Sequence, residues 1–458
     1  MSQLELRHDL SGDLNAEQYR AVTHDGGPCL VLAGSGSGKT RVITYRIAWL
    51  LAELGAPASS ICAVTFTNKA AGEMRSRVAR LAGEAASDVW VLTFHALGLR
   101  ILRAAAGIDG APRPGFAVYD RGDALAVWRR CQSAANIDAN ELRPTMLYEM
   151  CSRARNQLED PRAWDSAGRS PEERAAAQIY ARYKTQMGAD NAVDFDDLLA
   201  LPLQLLSDGI VGLDRSRFHH LLVDEYQDTN RTQYRLVRKL LDETGSLMVV
   251  GDEDQSIYRW RGADIANVLE FREDFPSATV VRLEQNYRST QPILAAAGSL
   301  VSHNSERLGK QLWTDNPGDS KPTYMQCATE RSEAVWIAKR IAVAIAADAS
   351  PADMAVLYRT NAQSRPFEEE LAGRGIPFRV LGGQTFFRRA EIKDVLAYLR
   401  LLSADDDAAF ARAVAAPPRG VGPANLESLR GQGGSLAAAL LGAVAAADPE
   451  AQFRDIGC

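Results

Sequence analysis

The stretch "CLVLAGSGSGKTRVITY", residues 29–45, constrains the fold more than any other part of the chain. A short apolar run ends in a glycine-rich turn, which delivers Lys39 and Thr40 to the start of a helical pattern. Gly34, Gly36 and Gly38 let the backbone come close to a phosphate, and the amides of the turn and of the helix N-terminus face its oxygens. Lys39 brings positive charge to the outer phosphates, and the Thr40 hydroxyl suits a Mg2+ ion. Ala33 stands where the general pattern carries glycine. Such a turn needs a buried strand behind it and a helix after it, so the fold class is α/β.

Further short β-branched runs follow the same plan, each closed by Gly, Thr or Asp and followed by a helical pattern: "ICAVTFT", "VWVLTFH", "HHLLVDE" and "LMVVGDE". Continuous apolar strands of this kind predict a parallel sheet with helices on both faces. Between Arg103 and about Asn191 the strands vanish. "DALAVWRRCQSAANI" and "SPEERAAAQIYARYKTQM" read instead as amphipathic helices capped by Asp and by Ser-Pro. The long spacing between Lys39 and Asp224 agrees with a helical insertion there. A second strand and helix series begins after Glu284 with "PTYMQCATERSEAVWIAKRIAVAI", "DMAVLYRT" and "IPFRVLGG", and the reading is helical from "RAEIKDVLAYLRLL" onward. At 458 residues, 46% of them hydrophobic, the chain has room for two to four domains.

Several classes are excluded. The N-terminus "MSQLELRHDLSGD" has no apolar signal region. The most apolar run, "LAAALLGAVAAA", falls short of the ~20 residues that cross a bilayer. A cytoplasmic location is the expectation. Six cysteines lie far apart without a CxxC pair, so neither a zinc site nor a disulfide framework is predicted. The net charge of −6 argues against nucleic-acid binding by overall charge; any such site is a local groove.

The remaining chemistry sits at strand ends. In "HHLLVDEYQD", Asp224 can hold Mg2+ through water and Glu225 can orient and deprotonate an attacking water; carboxylates at a strand end also serve as solvated edge residues. In "VVGDEDQSIYRWRGAD", Asp252, Asp254 and Gln255 can reach a terminal phosphate or its water. Just beyond, Tyr258 and Trp260 alternate with Arg259 and Arg261, a pattern that suits stacking on bases while tracking phosphates. The competing reading is a strand that buries Tyr258 and Trp260 on one face. Gln18, in "LNAEQYRAV", offers an amide to an adenine edge, or is an ordinary helix-surface residue. "DFDDLL" reads as helix-start capping by Asp194 and Asp197 rather than as a metal site. "RGVGPANLESL" is similar to a helix-hairpin-helix turn that meets DNA backbone, and equally to a common turn between helices.

Nine collinear blocks give the chain a close resemblance to the superfamily 1 DNA helicases of the UvrD/Rep/PcrA type. They are "LNAEQ", "AGSGSGKT", "AVTFTNKAAGEM", "VLTFHALGLRIL", "DEYQDTN", "GDEDQSIYRWRGAD", "LEQNYRST", "VLYRTNAQSRPFEEEL" and "GGQTFFRRAEIKDVLAYLRLL". The resemblance implies two RecA-like P-loop NTPase domains, each with a helical insertion. Domain 1A would be 1–103 with 192–284, insertion 1B 104–191, domain 2A 285–385, and 386–458 the start of the helical domain 2B. It implies ATP-driven 3′-to-5′ movement on single-stranded DNA and duplex unwinding, in DNA repair or replication, with ATP and Mg2+ as cofactors. Implied nucleotide contacts run through Ala33, Gly34, Ser35, Gly36, Ser37, Gly38, Lys39, Thr40 and Arg41. Gln18 would contact adenine, Tyr287 would stack on the base, and Arg288 would act as an arginine finger. Asp224, with Thr40, would hold the metal, Glu225 the water and Gln255 the γ-phosphate. Phe66, Asn68, His95, Tyr258, Trp260 and Arg261 match DNA-contacting positions. Implied partners are single-stranded DNA and single/double-strand junctions, with self-association or contact with repair or replication proteins.

The family continues with a "TxHxAKGLE"-like and a "YVAxTRA"-like block, and neither occurs here. A C-terminally truncated chain with an incomplete second RecA-like domain is therefore expected. Three readings stay open: a helicase or translocase, a fragment that binds ATP and single-stranded DNA without productive unwinding, and the helicase subunit of a helicase-nuclease.

Overall fold

The computed structural model describes residues 10–166, 168–209, 218–241, 244–259, 262–304, 307–381, 390–402, 405–417, 419–421, 423–431 and 435–447. The chain divides into two compact units, Met1–Lys321 and Pro322–Cys458.

Eight strands occur among the described residues, all in the first unit: β1 (Pro28–Ala33), β2 (Ile61–Thr65), β3 (Trp90–Thr93), β4 (Ala117–Val118), β5 (Ala192–Val193), β6 (His220–Val223), β7 (Ser246–Gly251) and β8 (Thr279–Leu283). Six form one parallel sheet in the order β3-β2-β6-β7-β1-β8. Alternation along each strand divides the apolar side chains between two core layers. Cys29, Val31, Ala63, Leu222, Met248 and Val250 face one layer, while Leu30, Leu32, Val64, Val223, Leu247 and Val249 face the other. Both faces are thus covered, which is why the strands read as unbroken apolar runs.

Helices supply the covers. α1 (Ala16–Val22), α2 (Lys39–Ala52) and α3 (Asn68–Ala82) close the first layer, burying such residues as Val22, Ile43, Ile47, Met74 and Val78. α4 (Phe94–Ala105) closes the second with Phe94, Leu97 and Ile101. The three- and four-residue spacing puts each set on one helix face. Side-chain caps fix where α3 and α4 begin: Thr67 accepts from the Ala70 amide at 3.1 Å and Thr93 from the Ala96 amide at 3.2 Å.

The helical insertion is α5 (Arg121–Ala134), α6 (Pro144–Asn156) and α7 (Pro171–Ala189). At its base β4 pairs with β5, Ala117 with Ala192 and Val118 with Val193. Trp128, Tyr148 and Tyr183 pack ring against ring at its centre. α8 (Asp197–Ser207) then leads back to β6, and α9 (Arg231–Leu240) joins the second layer through Tyr234, Leu236 and Val237. "DFDD" caps as the pattern predicts, with the Asp197 amide donating to Asp194 Oδ1 at 2.7 Å. Beyond that expectation, Arg155 of α6 is buried against Asp194, Asp196 and Asp197, and Lys184 also pairs with Asp197, so cations of the chain itself occupy the acidic cluster.

After β8 the chain stays with the first unit. The Trp313 amide donates to Glu284 O at 3.1 Å and the Asn286 amide to Trp313 O at 2.8 Å. α10 (Gln291–Val301) lies inside this loop. The first compact unit therefore extends past β8 to Lys321.

The second unit contains α11 (Glu330–Ala346), α12 (Ser364–Gly373), α13 (Ala390–Leu401), α14 (Asp407–Ala415), α15 (Pro423–Arg430) and α16 (Leu436–Ala447). The strands expected in "PTYMQC", "DMAVLY" and "IPFRV" need correction, because these segments form no strand ladder among the described residues. An extended segment becomes a strand only when a neighbour satisfies its amides and carbonyls. None does so there among the described residues, and Tyr324 and Leu357 stand 87% and 89% exposed. "GGQTFFRR" lies outside the described residues. No described helix is long and apolar enough to cross a membrane.

Candidate nucleotide and nucleic-acid sites

Apart from Gln18, on the helix that precedes β1, the described candidate residues of the first unit sit at or just beyond the C-terminal edge of the sheet, or on a helix leaving it. The glycine turn follows β1, "DEYQD" follows β6, "DEDQ" follows β7 and "NYR" follows β8. Because β6, β7, β1 and β8 are successive neighbours, these four turns meet. The geometry has a backbone requirement: Gly36 and Gly38 take φ values of 70° and 95°, in the left-handed region that glycine enters at little cost. Their missing side chains also matter. A Cβ on Gly36 would stand 2.7 Å from both Arg288 Cβ and Asn286 Nδ2, and one on Gly38 would stand 2.7 Å from Gln18 Nε2.

Gln18 is buried, donating from Nε2 to Ser37 O at 2.9 Å and accepting the Asn15 amide at 3.1 Å. It braces the turn from behind. Ser37 Oγ donates to Gly34 O, and Asn286 Nδ2 donates to Ser35 O. Ala33 is fully buried at the strand end, which leaves no space demand for glycine there. Arg41 turns toward Asp13, 3.8 Å away, and lies over the Tyr45 ring. Tyr287 is half exposed, and its hydroxyl accepts from Asn15 Nδ2 and donates to Gln285 Oε1, both at 2.8 Å. Asn15 and Gln285 were not legible as site residues, since each acts through a partner some 270 positions away. Arg288 is exposed, its backbone held by Asn286 Oδ1 at 2.8 Å.

Lys39 Nζ meets Glu225 Oε2 at 3.0 Å. Glu225 reaches it from a left-handed backbone, φ 51° and ψ 46°, uncommon for a residue with a Cβ. Asp224, next to it, is buried and accepts from Thr65 Oγ1 at 3.4 Å and from the Glu225 amide at 3.1 Å. Burial, then the neighbouring Glu225 charge, push Asp224 up to about 7. A half-buried hydroxyl on Thr40 and this carboxylate are oxygen donors of the kind Mg2+ takes, and it needs only one or two carboxylates when phosphates complete its shell. Gln227, missed in the sequence, links two turns: its Nε2 donates to Glu225 Oε2 at 2.9 Å and its Oε1 accepts the Asp252 amide at 2.9 Å. Gln255 donates to Asp252 Oδ2.

The described aromatic candidates for nucleic acid gather toward the β2 and β3 end of the same edge. Phe66 and Tyr258 stack with centroids 5.2 Å apart and planes at 25°. Tyr258 is half-buried and belongs to no strand, which decides against the buried-strand reading for that residue. His95 packs against Phe195 at 5.6 Å; burial lowers its pKa, so the ring is neutral at pH 7. Asn68 opens α3 and accepts from Thr93 Oγ1 at 3.5 Å. Phe195, 51% exposed, was not singled out. The available signal was an aromatic between capping aspartates, where a core residue is out of place. Trp260 and Arg261 lie outside the described residues.

Residues 14–276 match the family described as UvrD/REP helicase N-terminal domain, and residues 281–443 match the UvrD-like helicase C-terminal domain. Among curated proteins, the chain is 44% identical over 421 residues to a Staphylococcus epidermidis protein named ATP-dependent DNA helicase PcrA; the match covers 91% of this chain and 58% of that one. It is 42% identical over 428 residues to the protein of that name from Bacillus subtilis (93% and 58%), and 43% over 426 residues to that from Leuconostoc citreum (92% and 57%). The chain thus spans less than two thirds of the length of these relatives.

Proposed function

The chain belongs to the UvrD/REP helicase family, and from that premise we infer that it hydrolyses ATP to move 3′ to 5′ along single-stranded DNA and to open duplexes, in repair or replication. The observation that carries this reading is one sheet edge that holds the Gly36–Gly38 turn after β1, the Lys39–Glu225 pair and a stacked Phe66–Tyr258 pair beside β2, with β6 and β7 between β1 and β2 and the turn after β7 reaching Tyr258.

In this reading domain 1A comprises 1–103 with 192–284, insertion 1B 104–191, domain 2A 285–385 and the start of 2B 386–458. The amides of residues 34–40 cradle the phosphates, and Arg41 flanks them. Tyr287 offers a ring face to the base, and Gln18 braces the turn while offering its remaining amide hydrogen. Thr40 and Asp224 would hold Mg2+, which supplies charge neutralisation at the outer phosphates. Lys39 leaves Glu225 for the phosphates, freeing that carboxylate to orient and deprotonate the attacking water. Gln255 reports the terminal phosphate, and Arg288 supplies positive charge as the transition state develops. Phe66, Asn68, His95, Tyr258, Trp260 and Arg261 receive single-stranded DNA next to a junction. The action is cytoplasmic.

The test is ATP hydrolysis by this 458-residue chain, with and without a single-stranded oligonucleotide, together with unwinding of a 3′-tailed duplex. DNA-stimulated turnover is expected. Binding of both ligands without turnover would make the chain a binding module instead, and binding of neither would overturn the reading.

A further inference from the structure

The turn after β7 presents three successive carboxylates, Asp252, Glu253 and Asp254, and one lysine answers all three. Lys310 Nζ lies 2.8 Å from Asp252 Oδ1, 2.7 Å from Glu253 Oε2 and 3.0 Å from Asp254 Oδ2, with its side chain 2% exposed. Arg307 grips Asp254 from outside with two bonds, at 2.8 and 2.9 Å. A buried ammonium is stable only when its charge is compensated, so the lysine and the turn hold each other in one arrangement.

What leaves the turn matters most. Asp252 Oδ2 receives Gln255, and the Asp252 amide bonds Gln227, which bonds Glu225. Tyr258, stacked on Phe66, follows Gln255 by three residues. On the other side, the segment carrying Lys310 is pinned by the Gln311 amide to Glu284 and by Trp313 O to the Asn286 amide, while Asn286 bonds Ser35 O in the glycine turn. Lys310, with Arg307 beside it on Asp254, thus ties the segment after β8 that carries "NYR" to the loop carrying both Gln255 and Tyr258.

We propose that Lys310 is a positioning residue: by holding the Asp252–Asp254 turn it transmits nucleotide binding to the aromatic seat for single-stranded DNA. The proposal rests on the ATP and DNA reading above. Its test measures oligonucleotide affinity by fluorescence anisotropy, with and without a non-hydrolysable ATP analogue, for the full chain and for Lys310→Met, Lys310→Arg and Glu253→Gln/Lys310→Met. The double variant removes one of the carboxylates that Lys310→Met strands, and it decides the matter should the single variant fail to fold.

Coupling between sites is typically about 5–150-fold. The expected result is that Lys310→Met, or the double variant, keeps near wild-type affinity for each ligand alone but brings the nucleotide-induced change in DNA affinity to about one, with Lys310→Arg restoring part of it. A folded Lys310→Met or double variant with wild-type coupling overturns the proposal, as does parallel loss of both single-ligand affinities in these variants. A wild type that binds both ligands without coupling overturns the proposal alone. A wild type that binds neither overturns the reading beneath it.

Discussion

Glu225 holds a backbone conformation that its side chain disfavours, and the reward is a carboxylate 3.0 Å from Lys39. A non-glycine residue in this region costs on the order of 1–3 kcal/mol, which a surface carboxylate has no reason to bear. Glu225→Gln is therefore expected to keep nucleotide affinity while lowering steady-state turnover by about 10²–10⁴, whereas Lys39→Ala removes nucleotide binding in an equilibrium titration. Asp224 makes a pH prediction. Its pKa rises from 3.8 to about 7 in the folded chain, so the stability it contributes is complete below about pH 4 and is lost as pH rises through 7. Thermal unfolding without divalent ions should show wild type weakening between about pH 4 and 7 and Asp224→Asn weakening less, with added Mg2+ narrowing the gap. These residue identities were legible from "DEYQD". The strain at Glu225 was not, because a dihedral angle is imposed by what surrounds the turn.

At the scale of elements, the caps and the glycine turn were legible because they depend on neighbours a few positions away. The Asp194–Asp197 pair is bonded at a helix start as the pattern predicts, and Thr67 and Thr93 open α3 and α4 by the same short-range chemistry. What buries Arg155 was not legible, since α6 supplies the cation and the entry to α8 supplies the anions some 40 residues later. Breaking a buried pair by removing one partner costs about 3–5 kcal/mol; Arg155→Met should lose that much in a denaturant titration. Asp194 and Asp196 flank Phe195, so the same variant should also weaken single-stranded DNA binding. Phe66→Ala, which removes one half of the stack with Tyr258, is expected to cost about 1–3 kcal/mol of oligonucleotide affinity and to leave nucleotide affinity unchanged in the absence of DNA. Unchanged DNA affinity would assign the Phe66–Tyr258 stack to packing alone.

Across the whole molecule, all the candidate nucleotide residues fall in the unit that ends at Lys321. Limited proteolysis is expected to cut within the exposed, ladder-free segment that follows Lys321, and the Met1–Lys321 fragment is expected to retain nucleotide binding by titration. Sequence by itself determined the α/β class, the helical insertion, the phosphate turn and the residue types at each strand end, because each rests on local periodicity or on chemistry within a dozen positions. Strand order was decided only by the tertiary structure. β2 lies beside β6, and β1 lies between β7 and β8, although the chain brings these partners together from more than 150 residues apart. Apolar alternation shows that a strand has two buried faces without showing which strand lies alongside it. That order places Asp224, Asp252 and the glycine turn on adjacent strand ends, with the aromatic pair at one side of them, and so makes a single site of residues that the sequence holds far apart.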